Sequence, residues 1–226
     1  MATEKVVTLI SKAQTLLQDT TSVRWSPTEL QGWLNDAYRE AVILRPDVNT
    51  VVAEYACAAG ARQNLANTFP SAIRLIEVTR NTATTSNQRA IRLATRQTLD
   101  DQRRDWYTET PVDSVQLYAF DPRVPKQFLV YPPATAAARL EVIYSAVPAP
   151  HTLSSGDLTN PATTEVIRID DSFANALVDY ILYRAYTKDA AVSANAARAV
   201  AHYQAFQLAL TGSAQANAAS QPGAAK

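Results

Sequence analysis

Two histidines, one cysteine and a run of carboxylates are the side chains of this 226-residue sequence from which catalysis or metal binding would have to be built. His151 and His202 lie far apart, and neither sits in an H-x-x-x-H or beside a C-x-x-C, the spacings that place ligands around zinc. His202 neighbours Tyr203 in an amphipathic stretch, which points to a packing role. Cys57 is alone, so no intramolecular disulfide is possible, and no histidine is placed to make it a nucleophile; it is expected as a small buried thiol. The sequence has no G-x-S-x-G elbow and no S-x-x-K, and its five glycines form no phosphate-cradling loop. Asp100, Asp101, Asp105 and Glu109 could act as acid and base if burial drove their pKa values apart. They alternate with Arg96, Arg103 and Arg104, which is the pattern of a solvated or inter-subunit ion-pair surface. The expectation is a non-enzyme with no cofactor and no metal.

The elements that must position these residues are helical at both ends and extended between. Val6, Leu9, Ile10, Ala13, Leu16 and Leu17 recur at helical spacing over about 4–18. A second helix starts at Ser26 as N-cap, with Pro27 in its first turn and Glu29 placed to close a capping box. Trp25 precedes it, and Leu30, Trp33, Leu34, Ala37, Ala41 and Leu44 form its apolar face up to Arg45-Pro46-Asp47. From Thr50 the period changes to two, with Val51, Ala53, Tyr55 and Cys57 on one side of a strand that stops at Gly60. Further strands are expected over 73–80, 90–94, 115–120, 127–131 and 140–147. Turns are expected at Thr84-Thr85-Ser86-Asn87, Asp121-Pro122 and Pro132-Pro133, with one or two helical turns over 98–106. Residues 148–164 read as a long Pro/Ser/Thr-rich loop of the functional or mobile kind. Asp170 and Asp171 supply caps for a helix carrying Phe173, Leu177, Tyr180, Ile181 and Arg184. The last helix, about 193–211, presents Ala199, Tyr203, Phe206 and Leu210 and is expected to close at Gly212. The tail after it lacks apolar periodicity and is expected to be disordered in the free protein.

This gives an α+β fold, a helical bundle from the N- and C-terminal segments with an inserted β-rich region. The expected boundaries are 1–48 and 170–212 for the bundle, 49–148 for the insertion, 149–169 for the loop and return connection, and 213–226 for a flexible tail. A chain of this length can bury ~70% of its unfolded surface, so packing alone can hold it. With 47% hydrophobic and 19% charged residues the composition is that of a globular protein. No apolar run approaches the ~20 residues of a bilayer crossing, and the first residues lead into an amphipathic pattern unlike a signal peptide. Lys and Arg together number 21, as do Asp and Glu, so the formal net charge is zero and the basic excess of a duplex-gripping protein is missing. The segment RAIRLATRQTLDDQRRDW, with Trp106 and Tyr107 as stacking surfaces, could face nucleic acid, but its acidic residues count against that.

Four stretches carry a family likeness: VRWSPTELQGWLNDAYREA at 23–41 with Arg45-Pro46-Asp47, SAIRLIEVTRN at 71–81, FLVYPP at 128–133, and DDSFANALVDYILYRAYTKDA at 170–190. In their order and spacing the chain resembles the head-to-tail adaptor, or connector, proteins of tailed bacteriophages. The resemblance implies a virion protein of the neck, made in the host cytoplasm. It further implies a homo-oligomeric ring, commonly dodecameric, between the portal protein and a tail nozzle or tail tube, with transient non-specific contact to DNA in the channel and none to membrane. A ring of this kind would extend the DNA channel and help retain packaged DNA. On that reading the portal-docking candidates are Phe206, Leu210, Ser213, Gln215 and Lys226. The inter-subunit ion-pair candidates are Arg96, Asp100, Asp101, Arg103, Arg104 and Asp105. Trp25, Ser26, Pro27, Glu29, Trp33, Asp171 and Phe173 serve as caps and core. The alternatives are a tail-completion or terminator protein, an accessory hydrolase, and a nucleic-acid-binding module.

Overall fold

The structure, a computed structural model, describes residues 2–83, 88–189 and 193–220, the side chains of 193 and 213–220 excepted. In chain order the elements are α1 (Val6–Leu16), α2 (Pro27–Leu44), β1 (Thr50–Ala56), β2 (Gly60–Asn64), β3 (Ala72–Asn81), β4 (Arg92–Leu93) and α3 (Arg96–Gln102). β5 (Leu117–Phe120), β6 (Gln127–Ala134), β7 (Arg139–Ala146), α4 (Ser155–Thr159), α5 (Ala174–Lys188) and α6 (Ser193–Ser220) follow. The fold is mixed α+β, helical toward both ends of the chain and β-rich in the middle, as the change of hydrophobic period predicts. The chain divides into two compact units, Met1–Val48 with Pro148–Lys226, and Asn49–Val147.

In the helical unit the apolar stripes meet in one core. Val6, Leu9, Ile10 and Ala13 of α1, Leu30, Leu34, Ala37 and Ala41 of α2, Leu177, Ile181 and Ala185 of α5, and Phe206 and Leu210 of α6 all belong to it. Ser26 caps α2 by accepting the Glu29 N–H at 3.3 Å. The expected capping box is only half built, because the Glu29 carboxylate accepts from Lys188 Nζ at 2.7 Å instead of reaching back. A complete box stands where the sequence reading had a loop: Ser154 and Asp157 cap α4 reciprocally. The pair of aspartates also divides its work. Asp170 accepts the Ser172 N–H at 3.0 Å and starts a single 3-10 turn before α5. Asp171, expected as a second cap, instead accepts the N–H groups of Thr3 and Glu4, at 2.8 and 3.0 Å, and ties down the N-terminal segment.

Gly212 does not close the last helix: α6 runs through it to Ser220. Residues 213–220 are mostly Ala, Ser, Gln and Asn, and extending an existing helix through alanine-rich sequence adds one hydrogen bond per residue without the cost of a new nucleus. The absence of apolar periodicity there governs packing, not helicity. The rest of the expected tail, residues 221–226, lies outside the described residues, as does the turn expected at 84–87.

In the other unit β1–β7–β3 and β2–β6–β5–β4 form two sheets. Tyr55, Leu75, Val78, Leu140, Val142 and Tyr144 of the first share a core with Tyr118, Phe128 and Val130 of the second. β1 and β2 are consecutive yet belong to different sheets, and the chain swings between them at Gly60, whose φ of 110° is a left-handed value that glycine adopts without steric cost. β2 has no apolar alternation to announce it. Its buried residues are Ala61 and Gln63, and the fully buried Gln63 amide closes the turn by bonding Ala58 N, Ala58 O and Gly60 O at 2.8, 2.8 and 2.9 Å. Pro132 and Pro133, expected in a turn, lie inside β6. They fall where the β2–β6 register slips between Arg62↔Leu129 and Gly60↔Ala134, a bulge in which a strand can do without two N–H donors. A small third cluster of Ala61, Leu99, Trp106 and Ala119 lets α3 and the following 3-10 turn cover part of the second sheet.

Candidate functional site

The ion-pair segment packs through Leu99 and Trp106 and leaves most of its other residues exposed. Trp106 is fully buried, and its Nε1–H donates to Asp100 at 2.9 Å, so Asp100 is partly a structural acceptor. Arg96 pairs with the same Asp100 at 3.3 Å one turn away, and Arg103 with Glu109 at 2.7 Å. Asp101, Arg104 and Asp105 are exposed and, among the described residues, form no ion pair within the unit. The carboxylates are therefore dispersed among arginines and not gathered into an acid–base pair.

Beside this segment a groove of about 530 Å³ opens, its rim set by Arg62, Arg96 and Arg123 and its floor by Ala119, Phe128 and Leu129. Asp121 is its one carboxylate, 3.5 Å from Arg123. Sequence reading misses it because the three arginines come from β2, α3 and the β5–β6 turn.

The portal-docking candidates fare unevenly. Phe206 and Leu210 are fully buried in the core of their own unit and have no surface to offer a partner, a correction to the expectation that placed them outward. Both belong to the one helical stripe that faces α5. Ser213 and Gln215 lie on the described backbone of α6 without described side chains, and Lys226 lies outside the described residues. What α6 does present outward is Val200, 57% exposed, and Leu208, 71% exposed. Leu208 shares a shallow uncharged groove with Leu44, Gln204, Gln207 and Thr211. Trp25, Trp33 and Phe173 are buried in the helical core, Pro27 occupies the first turn of α2, and Ser26, Glu29 and Asp171 act as described above.

Two polar clusters escape a reading by spacing because their members are distant in sequence. The first is Arg45, which grips Asp47 with two nitrogens, at 2.9 Å from Nε and 2.8 Å from Nη2. Its Nη1 donates to the Leu210 carbonyl at 3.1 Å, and its guanidinium lies 5.4 Å over the Phe173 ring. This joins the end of α2 to α5 and α6, and the hydrogen bonds from Arg45 hold the Asp47 carboxyl below its ordinary range. The second centres on His151, whose ring is wholly buried between Tyr38 of α2 and Glu165. Asn35 holds its backbone by both N–H and carbonyl, at 2.8 and 3.0 Å, and Gln31 does the same for Leu153 at 3.0 and 3.3 Å. The segment expected to be mobile is thus clamped along one face of α2, where Gln31, Asn35 and Tyr38 lie at i, i+4 and i+7.

Cys57 is buried and its thiol is pushed up to about 12 by burial, which leaves almost no thiolate near neutrality. His202 bonds Asp179 at 2.9 Å and stacks on Tyr186, part of the α5–α6 contact. Among the described residues no group of three or more His, Cys, Asp or Glu could hold a metal, and no helix is long and apolar enough to cross a membrane. The chemistry available is that of surfaces: free arginines and aspartates, an arginine-rimmed groove, and a helix face nearly without charge.

The description of the SU10 adaptor proteins fits residues 5–226, all but the first four positions. The chain belongs to the SU10 adaptor protein family. No curated protein matches it. As an SU10 adaptor it is a structural bacteriophage protein and a component of the virion, working through contacts with other phage parts. That places interest on the exposed residues of both units and away from Phe206 and Leu210.

Proposed function

We propose that this SU10 adaptor assembles as a head-to-tail ring, a dodecamer as is common among connectors, between the portal vertex and the tail or nozzle. The ring would extend the DNA channel and help retain packaged DNA. The observation that carries the reading is the family match across both units, residues 5–226. The exposed surfaces are in keeping with it. A closed ring uses two different patches on every subunit. Asp101, Arg104 and Asp105, which form no ion pair among the described residues, are suited to pair with a neighbouring copy, as the other members of the segment, Arg96, Asp100 and Arg103, already pair internally. On the portal side, the outward residues of α6 and its extension through Ser213 and Gln215 replace Phe206 and Leu210 as the docking candidates.

The test is to mix the purified chain with the portal protein and the tail-tube protein of its phage, follow co-elution by size, and image the complexes by negative stain. A ring seated on the portal is the expected outcome. Binding to the tail tube alone would identify a terminator, and a chain that binds neither partner would overturn the proposal.

A further inference from the structure

His151 sits inside the helical unit with a side chain of zero exposure. Every hydrogen-bonding position around it is assigned by its neighbours. Glu165 Oε1 faces Nδ1 and, as a carboxylate oxygen, can only accept, so in the neutral ring the Tyr38 hydroxyl, which accepts the Arg168 N–H at 3.2 Å, donates its own proton to His151 Nε2, 2.9 Å away. Nε2 is therefore the bare nitrogen, and the ring proton sits on Nδ1, donated to Glu165 Oε1 at 2.5 Å. The neutral imidazole satisfies this chain completely. A second proton could go only to Nε2, where it would meet the hydroxyl, turn that hydroxyl's hydrogen away and remove the acceptor it uses, in a site where Tyr38 is 1% exposed.

The charges around the ring do not offset that cost. The charged and titratable groups facing it are Tyr38 from α2 and Glu165 and Arg168 from the return segment. Glu165 would welcome an imidazolium, but the same Oε1 already accepts from Arg168 Nη2 at 2.7 Å. An imidazolium would be a second cation on one carboxylate, with its ring out of water. Burial accordingly dominates and holds the histidine below its ordinary value against the opposing pull of Glu165.

What the ring secures is the stretch from 151 to 165. At its start, Asn35 and Gln31 hold the backbone of His151 and Leu153. Beyond its end, Val6 N–H bonds the Glu165 carbonyl and Ile167 N–H bonds the Glu4 carbonyl, at 3.0 and 2.9 Å. Apart from Leu158 and the His151 ring, the stretch between is exposed or half-buried, so few apolar contacts resist its opening.

We propose that His151 is the catch of an acid-opened latch: neutral, it keeps residues 151–165 docked on α2, and taking up a proton it lets them go. The direction follows from linkage. A released histidine binds its proton near pH 6.5 and the docked one only at lower pH, so the docked state loses stability as pH falls below 6.5. The latch belongs to the chain itself, whatever the chain joins, and so stands or falls separately from the adaptor reading.

Hydrogen–deuterium exchange of the full chain at about pH 7.5 and about pH 5, corrected for intrinsic rates, tests it. Opening of 151–165 should increase by up to about 30-fold at the lower pH, the factor by which a freed imidazole of pKa ~6.5 is protonated there. Peptides from Asn49–Val147 should not follow. His151→Gln, which keeps a donor and an acceptor without titrating, should abolish the pH response, whereas His202→Gln should preserve it. Should His151→Gln fail to fold, nitrogen NMR of the wild-type rings gives an independent answer: one of the two imidazoles must be a neutral Nδ1–H tautomer that protonates below pH 6.5 in step with the exchange. Equal protection of 151–165 at both pH values, a pH response undiminished in His151→Gln, or a His151 that titrates at 6.5 or above would each overturn the latch.

Discussion

Buried amides do work in this chain that apolar residues cannot. Asn81, fully buried, donates to the carbonyls of Arg89 and Val115 at 3.0 and 2.8 Å and accepts the Val115 N–H at 2.8 Å. It ties the end of β3 to the segments that lead into the paired strands β4 and β5. Asn81→Leu keeps the volume and removes all three bonds; the Arg89 carbonyl keeps the Asn81 backbone N–H at 2.9 Å, but the Val115 N–H and carbonyl lose this partner, and the change should cost about 2 kcal/mol or more in urea unfolding followed by circular dichroism. Carboxylates behave likewise. The Trp25, Arg24 and Val23 N–H groups hold Asp19 below its ordinary range, and the Thr3 hydroxyl with the Glu4 and Thr3 N–H groups does so for Asp171. Both contribute stability that is present above the unfolded carboxylate value of ~3.9 and lost as pH falls through the lower folded value. The urea midpoint should therefore drop steeply below about pH 4, and Asp171→Asn should flatten part of that drop while lowering the midpoint at neutral pH. A midpoint in Asp171→Asn with the wild-type profile would show that these bonds do not matter to stability.

At the scale of elements, what the sequence makes legible is whatever rests on periodicity. α1, α2 and α5 bury most of the residues their stripes name, Leu16 and Leu44 being exposed and Arg184 half-buried, and β3 and β7 lie within a residue of the expected runs, while β1 starts as expected at Thr50 but ends at Ala56, short of Gly60. Elements too short or too polar to show an apolar period are the ones that escape it. β2 hides because its buried residues are Ala61 and Gln63, and α4 because a five-residue helix has a cap but no stripe. Pro132-Pro133 reads as a turn because a bulge is a property of two strands in register, and no single strand shows it. The clusters around His151 and Arg45 depend on residues more than a hundred positions apart, a separation at which spacing carries no signal. Gly212 is the residue where the two levels disagree most, since a glycine at the end of an apolar stripe is the usual mark of a C-cap. Its φ is not left-handed and nothing lies within 4 Å of where a Cβ would be. Gly212→Ala should then raise stability by ~1 kcal/mol and increase helical circular dichroism, because alanine is the better helix former. A helix that ended at this glycine in a left-handed turn would instead be destabilised by the same change.

For the molecule as a whole the charge is balanced but not evenly shared. Residues 49–147 hold eleven Lys and Arg against nine Asp and Glu, leaving ten against twelve for the remainder, so the β unit is slightly basic and the helical unit slightly acidic. Ten of the eleven cations in the β unit are arginines, and three of them rim its groove, so this is where a phosphate backbone would be met if anywhere. The excess is small, and Arg80, Arg96, Arg103 and Arg123 are already engaged by carboxylates of their own unit. A protein that grips duplex DNA neutralises several phosphates, and its affinity falls by ~10³–10⁵ between about 50 and 200 mM salt. A wall past which DNA must slide calls for the opposite, since each fixed phosphate contact is a barrier to movement. The free chain should bind a fluorescently labelled duplex more weakly than ~10⁻⁴ M at physiological salt, the weak limit of non-specific binders, with anisotropy that barely depends on salt. Tight binding with a steep salt slope, abolished by Arg62→Ser with Arg123→Ser, would mark the groove as a nucleic-acid site and turn the reading from a passive channel part to a protein that holds DNA directly.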